Sequence, residues 1–136
     1  MTNTKEHINV VNRERAVEFF YKIDLLNSAD TNFLKDVSAW PKSYSYARNI
    51  VEYYFKNSDG VDRLITENLI DWKLSRLPFI DRAILRVGFS ELILGLTPKG
   101  VVLNEAVRLA NEYSGVESPN FINGVLAKFA SSLNLK

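Results

Sequence analysis

Between Pro78 and Pro98 the chain carries a segment that leaves few folds open. From Phe79 to Leu96 it offers Ile80, Ala83, Ile84, Leu85, Val87, Phe89, Leu92, Ile93 and Leu94, with little polar surface between them. Its polar side chains fall on one narrow stripe, Arg82, Arg86 and Ser90, each four residues apart. A helix that is apolar nearly all round must be sheathed by others, so this segment predicts the central helix of a bundle. The run falls short of the roughly 20 apolar residues that span a bilayer.

The flanking sequence supplies the sheath. Ala16, Phe19, Phe20, Ile23 and Leu26 recur at helical spacing, which predicts a first helix over about 9–26 that ends at Asn27-Ser28. Asp30 or Thr31 can cap a short second helix running to about Ala39, before Trp40-Pro41 breaks it. Ala47, Ile50, Val51 and Tyr54 mark a third helix, 43–56, closed by the turn Asn57-Ser58-Asp59-Gly60. Val61, Leu64, Ile65, Leu69 and Trp72 place a fourth over 61–75, with Asp59 and Asp62 read as capping residues.

Beyond the central helix, Thr97-Pro98 reads as cap and first turn of a sixth helix carrying Val102, Ala106, Leu109, Ala110 and Tyr113. Ser114-Gly115 closes it. Ser118-Pro119 repeats the start signal for a last helix carrying Ile122, Val125, Leu126, Phe129 and Leu133. Strand-type alternation is absent. The expectation is an all-α fold, a compact bundle of about seven helices in one domain over 1–136, with 1–12 as a flexible N-terminal arm.

At 136 residues and 46% hydrophobic, such a chain can build a core without staples, and it has no cysteine to make one. That excludes a disulfide scaffold, a thiolate zinc site and a cysteine nucleophile, and no cofactor or metal is expected. The single histidine, His7, has no oriented partner in sequence, and neither a Walker loop nor a dinucleotide fingerprint is present. Nothing proposes a reaction, so a non-enzymatic role is expected. Seventeen Lys and Arg against sixteen Asp and Glu imply that any nucleic-acid contact is local. With Arg and Glu interrupting the N-terminus, the chain reads as soluble and cytoplasmic.

Three blocks are more specific than periodicity. The first is Trp72-Lys-Leu-Ser-Arg76-Leu77 with Ile80-Asp81-Arg82 and Leu85-Arg86, followed by Glu91-Leu92. The second is Val102-x-Asn104-Glu105-Ala106-Val107-x-Leu109-Ala110, and the third is Ser118-Pro-Asn-Phe121-Ile122-Asn123-Gly124-Val125-Leu126. In this order and at these separations they resemble the NusB family. Upstream, Arg15-Ala16 and Phe20-Tyr21-x-x-Asp24 resemble its first helix more loosely.

The resemblance implies two helical subdomains in one domain. It also implies a transcription antitermination adapter that binds boxA-type single-stranded leader RNA together with NusE, a small-subunit ribosomal protein. That assembly would join RNA polymerase with other Nus factors, notably in ribosomal RNA transcription. Homodimerisation is left open, with Phe19 and Phe20 as an apolar surplus for it.

The family's RNA-facing arm corresponds here to His7–Arg15, where most of the basic run is missing and residues 1–26 are locally neutral. Arg13 is then the best phosphate contact, while Arg15 is either a second one or a solvated helix residue. Tyr21 could stack on an unpaired base or sit partly in the core. The turn Glu117-Ser118-Pro119-Asn120-Phe121 is the second RNA-facing segment. There Asn120 replaces a usual lysine, Ser118 doubles as a helix cap and Phe121 leans toward the core. For NusE the resemblance points to Asp81, with Arg76 and Arg82 beside it, although an acid there also suits the helix dipole. Arg86 is expected to satisfy a buried acid or carbonyl rather than RNA. Asn104, Glu105, Asn123 and Gly124 are read as architectural, Gly124 allowing a close helix approach. The alternative reading, motivated by the depleted arm, is a protein-only adapter that keeps the NusE surface.

Overall fold

The computed structural model describes residues 4–26 and 32–133. Among them are seven α-helices: α1 (Thr4–Leu26), α2 (Asn32–Ser38), α3 (Ser45–Lys56), α4 (Ser58–Asn68), α5 (Phe79–Leu94), α6 (Lys99–Tyr113) and α7 (Ser118–Leu133). Two single 3₁₀ turns, Lys42–Tyr44 and Leu74–Arg76, lead into α3 and toward α5, and no strand occurs among the described residues.

The apolar segment is the central helix. α5 packs on α1, α3, α4, α6 and α7. Ala83, Ile84, Leu85, Val87, Phe89 and Leu92 are all buried. α1 and α3 also pack on one another, as do α6 and α7, so α5 is the wall that two groups of helices share. On one side of that wall an aromatic cluster forms, with Phe19 edge-on to Trp40 at 5.6 Å and Phe20 to Tyr54 at 5.0 Å. On the other, Phe89 stacks on Phe129 at 4.4 Å. Phe19 and Phe20 are therefore core residues and supply no surface for self-association.

α1 begins at Thr4, so residues 4–12 form its first turns. Asn12 explains part of this. Its amide donates to the Ile8 carbonyl (2.7 Å) and the Ser43 carbonyl (2.9 Å), and its oxygen accepts the Ala47 N–H (2.8 Å). One side chain thus holds its own helix and caps the first turn of α3. The expected caps Asp30 and Thr31 lie outside the described residues.

α4 is shorter than the sequence suggests, ending at Asn68 rather than Ser75. Leu69 turns extended and Asp71 adopts the left-handed region at φ 63°, which an aspartate tolerates better than most residues. Trp72 is thereby carried off the helix and left 56% exposed. Asp62 does not cap α4; it lies within the helix and accepts hydrogen bonds from Tyr54 and Arg86. Among described residues no helix is long and apolar enough to cross a membrane.

α5 stops at Leu94 because Gly95 takes φ 67° and donates to the Glu91 carbonyl at 3.0 Å. Open space surrounds a Cβ built there, so the penalty for a side chain is purely conformational. Gly95→Ala is expected to lower stability by about 1–2 kcal/mol, read as a lower denaturant midpoint at unchanged m-value. Gly124, expected to permit close packing, has nothing near its Cβ position. The close approach occurs at Gly88, where a Cβ would meet Leu126 Cδ2 at 2.8 Å, and there α5 and α7 meet.

Candidate binding surface

Arg13 is not on the surface. It is 2% exposed, and its Nε donates to Glu91 Oε1 at 2.7 Å. Its Nη1 lies 3.7 Å from Glu105, and Nη2 donates to Thr97 Oγ1 at 3.4 Å. Tyr46 completes the group, donating its hydroxyl to the same Glu91 oxygen while its ring lies under the guanidinium at 5.6 Å. Thr97, expected as a helix cap, places its hydroxyl 2.6 Å from that of Tyr46 instead.

Burial raises the Glu91 carboxyl above its ordinary range, opposed by the Arg13 charge. Burial, and then the Glu91 charge, push the Tyr46 phenol up to about 12, which keeps it a donor. A guanidinium enclosed in this way cannot reach a phosphate, so the expected role of Arg13 in RNA contact is corrected to that of a bolt between α1, α3, α5 and α6.

Asp81 is likewise buried, at 4% exposure. Its carboxylate accepts hydrogen bonds from Ser114 and, at 3.1 Å, from Ser118. The acid expected at an exposed edge for a partner instead ties the start of α5 to the α6–α7 turn. Ser118 gives its hydroxyl to Asp81 and not to a capping bond. Arg82 donates to the Leu77 carbonyl (3.0 Å) and the Ser75 carbonyl (2.7 Å), and covers Phe79 at 4.7 Å, so it fastens the preceding 3₁₀ turn. Arg76 is exposed. Arg86 binds Asp24 at 2.9 Å and Asp62 at 3.2 Å, two half-buried acids, in line with the expectation that it pairs within the fold.

The remaining candidates gather around the start of α5. A cavity of about 430 Å³ is lined by Glu14, Glu18 and Tyr21 of α1, with Ile80, Leu109 and Tyr113 across from them. A second, of about 340 Å³, lies between Trp72, Leu77, Asp81, Glu117, Ser118 and Phe121. Ile80 lines one and Asp81 the other, so Tyr21 and the 117–121 turn flank a single helix end. Trp72 meets Phe121 edge-on at 6.3 Å.

Asn120 and Glu117 are exposed and Phe121 is partly buried. Carboxylates dominate the rims. Of the nearby cations, Arg108 is held by Glu14, Glu105 and Glu112, and Lys22 by Glu18. The sequence reading missed Glu14, Ile80 and Tyr113, and Trp72 as a surface aromatic. Trp72 falls on the apolar face that helical spacing predicts for α4, but that helix ends four residues earlier, at Asn68.

The described residues thus form an all-helical bundle with two aromatic-lined grooves at the start of α5. A sequence model of the NusB family matches residues 11–131. The transcription antitermination protein NusB of Streptomyces griseus subsp. griseus is 37% identical over 128 residues, covering 86% of this chain and 87% of the relative. The solved T. maritima NusB is 25% identical with a TM-score of 0.80, covering 96% of this chain and 93% of its own. A chain in the crystal structure of antitermination factors NusB and NusE in complex with dsRNA shares the fold. It has a TM-score of 0.76 and 24% identity, covering 93% of this chain and 98% of its own. This chain belongs to the NusB family.

Proposed function

We propose that this protein is a non-catalytic, cytoplasmic transcription antitermination adapter. It holds boxA-type single-stranded leader RNA jointly with NusE and brings both to RNA polymerase and other Nus factors, notably on ribosomal RNA operons. The supporting observation is the surface around the start of α5. There Tyr21 and the Glu117–Phe121 turn, two of the RNA-facing positions that the family resemblance implies, flank one helix end in a chain that the family model matches over most of its length. Exposed aromatic rings beside hydrogen-bonding side chains suit unpaired bases.

The second reading, a protein-only adapter that binds NusE, is favoured by a specific observation. Arg13 is enclosed, and Glu14, Glu18, Asp81 and Glu117 line the cavities where phosphates would have to approach. Affinity for RNA depends on cations that neutralise phosphate, and this surface has few free ones. The main reading therefore assigns much of the phosphate contact to NusE, and this chain supplies base stacking and shape.

Titrating labelled boxA RNA with the protein alone, then with NusE, at two salt concentrations and against a scrambled RNA, separates the two. Binding that appears or sharpens with NusE, fails for the scrambled RNA and weakens about tenfold in Tyr21→Ala supports the joint adapter. NusE binding without any RNA binding leaves the protein-only reading.

A further inference from the structure

Six arginines of the chain are buried or partly buried: Arg13, Arg15, Arg48, Arg82, Arg86 and Arg108. Five of them donate to carboxylates or backbone carbonyls. Arg15 differs. Its guanidinium lies 4.4 Å from the Tyr44 ring centre and 5.4 Å from that of Trp40, with no hydrogen bond or ion pair among the described residues. The rings are themselves fixed, Trp40 edge-on to Phe19 at 5.6 Å and 6.3 Å from Tyr44. The cation is thus held by two aromatic rings while its N–H groups donate to no described residue.

Beside it is a notch of about 170 Å³ bounded by Arg15, Glu18, Phe19, Lys22, Asp36 and Trp40. Its size suits one planar heterocycle and not a peptide helix. Lys22 is paired to Glu18 at 3.0 Å, so the cation presented to a ligand is Arg15. The rim carboxylates Glu18 and Asp36 disfavour an acidic peptide, whereas a carboxylate can accept a hydrogen bond from a base amino group. Glu18 also lines the Tyr21 cavity, so the notch and that cavity are neighbours across α1. Arg15 and Tyr21 stand about 9 Å apart along the helix axis, within reach of one strand.

We propose that the Arg15–Tyr44–Trp40 stack is a second contact for single-stranded RNA, receiving one unpaired base in the notch and its phosphate on the Arg15 guanidinium. This rests on the reading that the chain holds RNA. It extends that footprint to the α2 side of α1.

The test uses labelled boxA RNA with NusE present, over a salt series, with wild type, Arg15→Gln, Arg15→Lys and Tyr21→Ala. A Trp40→Phe protein, which keeps Trp72, identifies by difference the fluorescence that Trp40 contributes. Arg15→Gln is expected to weaken binding about tenfold and to reduce the slope of log affinity against log salt by about one. RNA should quench the Trp40 contribution in wild type but not in Arg15→Gln, and Arg15→Lys should keep the salt slope without the full affinity. Unchanged thermal midpoints show that the variants fold.

RNA binding by wild type with equal affinity and slope in Arg15→Gln overturns the inference while leaving the function intact. So does weakened binding at unchanged slope with Trp40 still quenched, which marks a purely structural role. If wild type binds no RNA with or without NusE, the functional reading fails and this site fails with it.

Discussion

Replacing Arg13 with methionine is expected to destabilise the fold by about 3–5 kcal/mol at neutral pH, because it strands Glu91 in the core without its cation. The exposed pair Lys22–Glu18 gives the contrast, since its removal should cost no more than about 0.5 kcal/mol. The Arg13 effect should depend on pH in a definite sense. The folded-state pKa of Glu91 is raised above its ordinary value of 4.5 by burial, and Arg13 opposes that rise.

A carboxyl raised in this way contributes stability that is fully present below 4.5 and is lost as pH climbs through its folded value. Without Arg13 the folded value rises further, so the gap between variant and wild type should be small below 4.5 and widen toward neutral pH. Denaturant midpoints at a series of pH values measure it, and a gap that stays constant from acid to neutral pH would sink the account. Adding Glu91→Gln to the Arg13→Met protein should recover much of the loss, since it removes the stranded charge.

The second large effect lies at Arg86. This side chain joins α5 to Asp24 of α1 and Asp62 of α4, and lies over Tyr54 of α3 at 5.3 Å. Arg86→Met leaves two half-buried carboxylates without their cation, and a loss of about 2–3 kcal/mol is expected. Arg86→Lys should recover only part of it, because a single ammonium cannot reproduce the forked geometry that reaches both acids. Thermal and denaturant unfolding of the three proteins measures this, and full recovery by lysine would refute the forked arrangement as the source of the stability.

The contrast between these two arginines shows what the sequence can disclose. Arg86 sits inside an apolar helix, where a charge must have a partner, so its pairing is readable from its neighbours. Arg13 sits in a segment that alternates charges and looks solvated, and its partner is 78 residues away. The signal lay at the other end, in Glu91, a carboxylate on a helix with almost no polar surface, which requires a buried cation from somewhere else in the fold.

The burial of Asp81 is hidden from the sequence for a related reason. An acid in the first turn of a helix looks exposed until the α6–α7 turn is folded over it, and that placement belongs to tertiary structure. Helix identity was readable because the apolar period is local, whereas the hydroxyls of Thr97 and Ser118, expected as caps, are engaged by Tyr46 and Asp81. The early end of α4 was not readable, because Leu69 turns extended with no glycine or proline there to signal it, and the left-handed Asp71 follows only two residues later.

The sharing of α5 between two helical groups has a kinetic consequence. Neither group can open fully without stripping one side of the same helix, so its amides have no partial route to solvent. Slow hydrogen exchange along 83–92 should therefore report the free energy of complete unfolding, and the α6–α7 pair should have no separate melting step. What looks like a two-part molecule would then denature as one cooperative unit.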